Sequence, residues 1–289
     1  MLSKDVIKKI RQIEIATKRL LSGSFVGDYS SAKKGAGFEF DQIRDYQLGD
    51  DVRFIDWKSS ARTNKLLVKQ YIEERNRAVI LAVDLSGSSF YSSSEKLKFD
   101  VLSEIAAVLA LVADYGKDQA SLMLFTDEVE VFIPPARGRK HIHKIMEKLF
   151  SHKPKSRKTN INTVLERLAR LHRRDSIVFL ISDFVGEFDE KKFHIVSKIY
   201  DLVALRCLDK NENKFPSVGF IDLLDVETGQ KVLLRTSGKK GRMLNKFLGK
   251  RLALQENVFK KYGVDYLDVS PERTFIGDVI LFFRRRMMY

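Results

Sequence analysis

The sequence predicts an α/β fold, a doubly wound and mostly parallel sheet with helices on both faces, and three observations lead there. Its strand-like runs, such as RAVILAVD and SIVFLISD, are apolar throughout instead of alternating, as strands covered on both faces require. From about residue 77 such runs alternate with segments of helical period. Two of the runs halt on a carboxylate, Asp84 and Asp183, at the strand ends where open parallel sheets hold their ligands.

Taken in order, residues 4–22 place Val6, Ile7, Ile10, Ile13, Ile15, Leu20 and Leu21 at helical spacing among Lys and Arg, an amphipathic helix. The Gly- and Ser-rich stretch SGSFVGDYSSAKKGAGFEF reads as loop or linker. RAVILAVD is a strand, and SEKLKFDVLSEIAAVLALVADYG a helix with Ser94 as N-cap and Gly116 at its end. ASLMLF and EVEVFIPP are two strands joined at Thr126 and Asp127, followed by helices over HIHKIMEKLF and INTVLERLARLHRR. SIVFLISD, FHIVSKIY and DLVALRCLD continue as strand, helix and strand. After Pro216, GFIDLLDV and KVLLRT are short strands about a turn at Glu227, Thr228 and Gly229. A long charged helix then ends at Gly263, DYLDVS is a strand, and PERTFIGDVILFFRRR a closing helix with Pro271 near its first turn. The expected organisation is 1–76 as N-terminal helix and part of a flanking subdomain, 77–210 as α/β core, and 211–289 as a small strand insertion plus the helix–strand–helix that completes the core.

The 289 residues include 52 Lys and Arg against 38 Asp and Glu, a net charge of +14 that favours an anionic partner. The one cysteine, Cys207, forms no internal disulfide and lies in an apolar run, which fits a buried residue in a reducing compartment. No run approaches the roughly 18 apolar residues of a membrane span, and no secretory signal is visible, so a soluble cytoplasmic protein is expected.

Asp84, Ser86 and Ser88 follow the first core strand, Asp183 follows a later one, and KTNINT offers Thr159. These are hard oxygen donors with no His or Cys, suited to Mg²⁺ and less tightly to Mn²⁺ or Ca²⁺. The pattern Asp-x-Ser-x-Ser, a later Thr and a later strand-end Asp resembles the metal-ion-dependent adhesion site of von Willebrand factor A domains. That resemblance implies a von Willebrand A-like fold in which the serines and threonine ligate directly, the aspartates often through water, and a partner's carboxylate completes the shell. The family commonly has Gly-Gly before the threonine where this chain has Arg157 and Lys158, which leaves Thr163 as a rival to Thr159.

Upstream, GAGFEFDQIRDYQLGDDVRFIDWKSSARTNKLLVKQY packs Arg44, Tyr46, Asp50, Asp51, Arg53, Asp56, Trp57 and Arg62 into nineteen positions. Its physical reading is a folded loop with partly desolvated Arg–Asp pairs and a packed Trp57. Together with Gly37, Glu39, Phe40, Gly49, Ile55 and Ala61, these residues closely resemble the signature of the bacterial domain of unknown function 58. The likeness extends to Asp209, Glu212, Pro216 and the turn at Asp225 to Gly229. It implies genetic pairing with a MoxR-type AAA+ ATPase, in chaperone-like assembly or metal insertion. Many members of that family carry two membrane helices ahead of this region, and none is visible here.

The expected function is therefore a metal-dependent protein-binding adaptor or co-chaperone that grips an acidic residue of its partner, with no reaction of its own. Phosphatases that form an aspartyl phosphate show Asp-x-Asp where this chain has Ser86, and no G-x-x-x-x-G-K-[ST] loop is present. His141 and His143 stand two apart in a helical segment and so face different ways, as surface histidines do. The alternative is nucleic-acid binding through the stretch 137–175, which carries +10 of the net charge. An acidic protein partner steered by that stretch is preferred, and nucleic acid is the less expected ligand. The closing Arg284, Arg285 and Arg286 are read as the dipole-favoured end of a packed helix.

Overall fold

The computed structural model describes residues 4–20, 39–72, 77–173, 175–186, 188–224 and 229–287. Gly37, most of the expected loop before it, and turn residues 225–228 lie outside them. In order, the chain forms helix α1 (Lys4–Leu20), strand β1 (Glu39–Asp45), helix α2 (Trp57–Thr63) and strand β2 (Leu67–Ile72). The α/β core follows as β3 (Ala78–Asp84), α3 (Lys98–Tyr115), β4 (Gln119–Phe125), β5 (Val129–Ala136), α4 (Arg139–Ser151), α5 (Ile161–Leu171), β6 (Ser176–Ser182), α6 (Glu190–Ile199) and β7 (Asp201–Cys207). Helix α7 (Lys210–Asn213), hairpin strands β8 (Phe220–Leu224) and β9 (Lys231–Arg235), helix α8 (Gly238–Lys261), β10 (Asp265–Val269) and α9 (Ile276–Met287) complete it.

Six strands pair in the order β10-β7-β6-β3-β4-β5, all parallel except β5, which runs antiparallel to β4 at the edge. This is the doubly wound, mostly parallel sheet with helices on both faces that the sequence predicts. The uniformly apolar strands have a direct explanation in β3. Val79, Leu81 and Val83 join a core with Ile10 and Ile13 of α1, Ile105 of α3, Ile145 of α4 and Val279 of α9. Ile80 and Ala82 point the other way, to Val164 of α5, Phe193 of α6 and Phe259 of α8. Both faces of the strand are therefore dry, and each fully buried Val, Leu or Ile adds roughly 1.5–3 kcal/mol. Cys207 is buried, as expected.

The chain divides into two compact units, Met1–Arg19 with Arg77–Tyr289, and Leu20–Asn76. In the second, β1 and β2 form an antiparallel pair, and Asp56 caps α2 by accepting from the backbone N–H groups of Lys58 and Ser59. Three details differ from expectation. Helix α1 belongs with the α/β unit, because Ile10 and Ile13 seal its core. Helix α3 starts at Lys98 and not after Ser94, whose backbone N–H is held by the Ser92 hydroxyl in the preceding turn. Helix α9 starts at Ile276, leaving Pro271 in the turn before it. Among the described residues no helix is long and apolar enough to cross a membrane.

Gly241, in the first turn of α8, approaches the backbone so closely that a Cβ there would lie 1.8 Å from the Thr236 carbonyl oxygen. Gly241→Ala is expected to destabilise the protein by about 1–3 kcal/mol in urea denaturation, since backbone must move to admit the methyl group. Gly249→Ala, in the same helix with nothing within 4 Å of the new atom, is expected to stabilise by roughly 0.5–1 kcal/mol through helix propensity.

Candidate functional site

The parallel register pairs Val83 with Ile181, so the next residues on the two strands, Asp84 and Ser182, emerge side by side at the carboxyl edge of the sheet. The Ser182 hydroxyl donates to Asp84 Oδ2 at 2.6 Å, and Asp84 Oδ1 accepts from the Ser86 backbone N–H at 2.8 Å. The second contact is an Asx turn that swings the chain away from the strand and sets Ser86 Oγ 3.0 Å from Ser88 Oγ. Asp84, Ser86, Ser88 and Asp183 are all buried. Beside them the Ser89 hydroxyl is buried with no hydrogen-bond partner among the described residues.

The fifth expected member, Thr159, is half-buried in the loop before α5. Gly87 donates its N–H to the Arg157 carbonyl at 2.8 Å, and Asn160 donates to the Thr126 carbonyl at 3.1 Å. These bonds bring the Thr159 loop against the Ser86–Ser88 turn. Its rival Thr163 lies in the first turn of α5 and spends its hydroxyl on the Asp127 carbonyl at 2.9 Å, bracing the β4–β5 connection.

Asp183 is not free to face a cation from all sides. Its Oδ1 accepts from the Val185 N–H at 3.0 Å, and its Oδ2 accepts from Lys98 Nζ at 2.7 Å. Both side chains of this ion pair are essentially without exposed surface. Burial, reinforced by the Asp183 charge, raises the Asp84 carboxyl from its ordinary value to about 7 even though Ser182 and Ser86 hydrogen bonds oppose the shift. The sequence pattern found both carboxylates but missed Lys98. Lys98 becomes the first residue of α3 only because the helix begins later than Ser94 suggests, so no local signal marked it.

A third carboxylate holds the surrounding loop. Asp209, just past β7, accepts from the Ser93 N–H at 2.7 Å and from the Ser93 hydroxyl at 2.8 Å, and it also receives the Ser92 hydroxyl and the Asn211 N–H. These bonds pull its carboxyl below the usual range despite its burial.

The donors fit Mg²⁺ in kind: hard oxygens, two of them carboxylates, with the Ser86 and Ser88 hydroxyls bonded to each other. No group of three His, Cys, Asp or Glu able to hold a metal occurs among the described residues, so any such site rests on hydroxyls as well as acids. The histidines are dispersed. His141 lies 2.8 Å from the Ala120 carbonyl, and His152 lies 2.7 Å from the buried Glu130 carboxylate.

In the Leu20–Asn76 unit the signature residues form their own network. Arg44 grips Asp50 with two bonds of 2.7 Å, and Asp50 also accepts from the Gln47 N–H, which together lower its carboxyl to about 2. Arg53 is paired with Asp51 at the surface, the Tyr46 N–H donates to the Leu66 carbonyl, and Arg62 stands exposed in the last turn of α2. Trp57 corrects the expectation of a packed ring: as the first residue of α2 it stays 67% exposed. The side chains of Glu39, Phe40 and Glu212 lie outside the described set.

The sequence model of a family described as "Protein of unknown function DUF58" matches residues 42–250. The uncharacterized protein Rv1480 of Mycobacterium tuberculosis is 25% identical over 283 residues, 96% of this chain and 88% of its own length. The uncharacterized protein YeaD of Bacillus subtilis is 29% identical over 107 residues, 37% of this chain and 25% of its own. Among solved structures, the conserved hypothetical protein BatB from Bacteroides thetaiotaomicron aligns over 73% of this chain and 98% of its own, with a TM-score of 0.48 and 14% identity. The VWA domain of SpRpn10 aligns over 71% and 93%, with a TM-score of 0.39 and 10% identity.

Two measurements test this geometry without any ligand. Because the Asp84 carboxyl is raised in the folded state, its proton favours folding. That contribution is full below about pH 4 and is lost as pH rises through about 7. In chelator, Asp84→Asn should therefore melt with a smaller decline between pH 4 and 8 than wild type. Asp183→Ala should cost about 3–5 kcal/mol in denaturant, because it strands the Lys98 ammonium in the core. Wild-type stability in that variant would refute the buried pair.

Proposed function

The chain belongs to the DUF58 family, and we propose that its von Willebrand A-like unit binds partner proteins through a divalent metal ion held by Asp84, Ser86, Ser88, Thr159 and Asp183. One observation carries the reading: two buried carboxylates and a pair of mutually bonded serine hydroxyls meet at the carboxyl ends of adjacent strands β3 and β6. An Asp84 carboxyl held near pH 7 is a group whose ionised form lacks a matched counter-charge, and a divalent cation supplies one.

In this reading Ser86 and Ser88 offer hydroxyl oxygens, Asp84 and Asp183 offer negative charge, and Thr159 adds an oxygen from the opposite loop. Bound Mg²⁺ supplies a coordination position that an Asp or Glu side chain of the partner fills. Arg157 and Lys158, exposed beside Thr159, steer acidic surfaces toward it. The chain carries no reaction of its own. It serves as an adaptor or co-chaperone for a MoxR-type AAA+ ATPase or that enzyme's client, and the ATPase performs the chemistry.

Isothermal titration with Mg²⁺ and Mn²⁺ tests the metal site, beside Asp84→Asn and the Ser86→Ala/Ser88→Ala double variant. Asp183 is left intact because Lys98 depends on it. Saturable binding in wild type, weakened about tenfold or more in both variants with folds intact by circular dichroism, is the expected result; removal of two ligand hydroxyls or one charge is of that size. Wild type that takes up no metal, alone or with an acidic peptide, overturns the reading. The basic stretch 137–175 and a gel-shift with nucleic acid at low salt then become the next test.

A further inference from the structure

The Lys98–Asp183 pair places a positive charge against one of the two carboxylates of the proposed metal site. Lys98 Nζ has no exposed surface and lies 2.7 Å from Asp183 Oδ2. It is also the first residue of α3, where the positive end of the helix dipole disfavours an ammonium. A lysine kept in so unfavourable a place is held there by the carboxylate it faces.

Charge balance gives this lysine a consequence. With Asp84 and Asp183 ionised, Lys98 leaves the site with one negative charge. A divalent ion added to that set leaves one positive charge, and a single carboxylate from outside brings the sum to zero. Without Lys98 the metal would neutralise the two aspartates by itself, and no external acid would be called for. The exposed Arg157 and Lys158 add positive potential at the rim.

Resting on the metal reading above, we propose that Lys98 is a tethered counter-cation that weakens divalent-metal binding in the free protein and makes loading depend on one carboxylate from a partner. Lys98 thereby acts as a specificity residue for a monoanionic ligand, an Asp or Glu side chain. Metal and acidic partner then bind cooperatively, each raising the other's affinity by the same factor.

The test is Mn²⁺ titration, followed by calorimetry and by electron paramagnetic resonance of free Mn²⁺. Wild type and Lys98→Gln are each titrated in acetate and in chloride at equal ionic strength. Glutamine keeps a donor toward Asp183 while removing the charge, and Lys98→Met is the second uncharged variant. In wild type, acetate should tighten Mn²⁺ binding several-fold. In chloride, Lys98→Gln should bind Mn²⁺ about tenfold or more tightly than wild type, the size of effect that one nearby charge exerts, and acetate should no longer help. Wild-type binding that ignores acetate, or a folded Lys98→Gln that binds no more tightly than wild type, overturns the role of Lys98 and leaves the metal site standing. Absence of Mn²⁺ binding from wild type and variants alike, in both buffers, overturns the metal reading and this inference with it. Wild-type binding that ignores acetate overturns the inference even if neither variant folds.

Discussion

An ammonium group sealed from water is tolerable only beside an anion, and the contact between Lys98 and Asp183 fixes much else in this protein. Lys98 begins α3, the helix whose Val101, Leu102 and Ile105 fill one face of the sheet. Asp183 ends the β6 run that lies beside β3. Joining them sets the start of the helix over the carboxyl edge of the sheet, and the turn between β3 and α3 has to fit the gap. That turn carries Ser86 and Ser88. It is held at its origin by Asp84 and in its later part by Asp209, so its hydroxyls are placed by three carboxylates acting from three different strand ends.

The far side of Asp183 is held as firmly. Arg206 of β7 is fully buried, donates two bonds of 2.8 Å to Asp268 of β10, and reaches Gln255 of α8. Gln255 donates in turn to the carbonyl of Phe184, the residue after Asp183, whose φ of +53° is uncommon for a phenylalanine. The last third of the chain thus fixes the backbone at the candidate site, and Phe259 and Tyr266 stack their rings within 6 Å of the Arg206 guanidinium. Chemistry-bearing groups from the first core strand and packing groups from the last one form a single arrangement.

How much of this was legible in the sequence follows from what each feature depends on. Uniformly apolar strands signal burial on two faces wherever they occur, so the sheet and its order of elements could be read directly, down to the hairpin at Thr126 and Asp127. The strand-end carboxylates were legible for the same reason: a charge that terminates an apolar run stands out. Lys98 was not, because EKLKF reads as an ordinary charged helix start, and only the crossing of α3 over β6 brings it to Asp183. Ser94 misled as an N-cap since its loop answers to Asp209, 115 positions further on and invisible to local rules. Trp57 misled in the opposite sense, for the one tryptophan amid charge suggested packing, yet the residue heads a short helix and stays mostly exposed.

Helix α1 leaves the α/β unit in sequence and belongs to it in space. Its Lys9 meets Asp100 across 91 positions, at 2.6 Å, while Ile10 and Ile13 cover the sheet's core. Closing a loop of that size is entropically costly, by an amount that grows with the logarithm of its length. The helix is therefore suited to dock late, after α3 has formed the surface that receives it. Until it docks, the part of the core that Ile10 and Ile13 cover stands open to water.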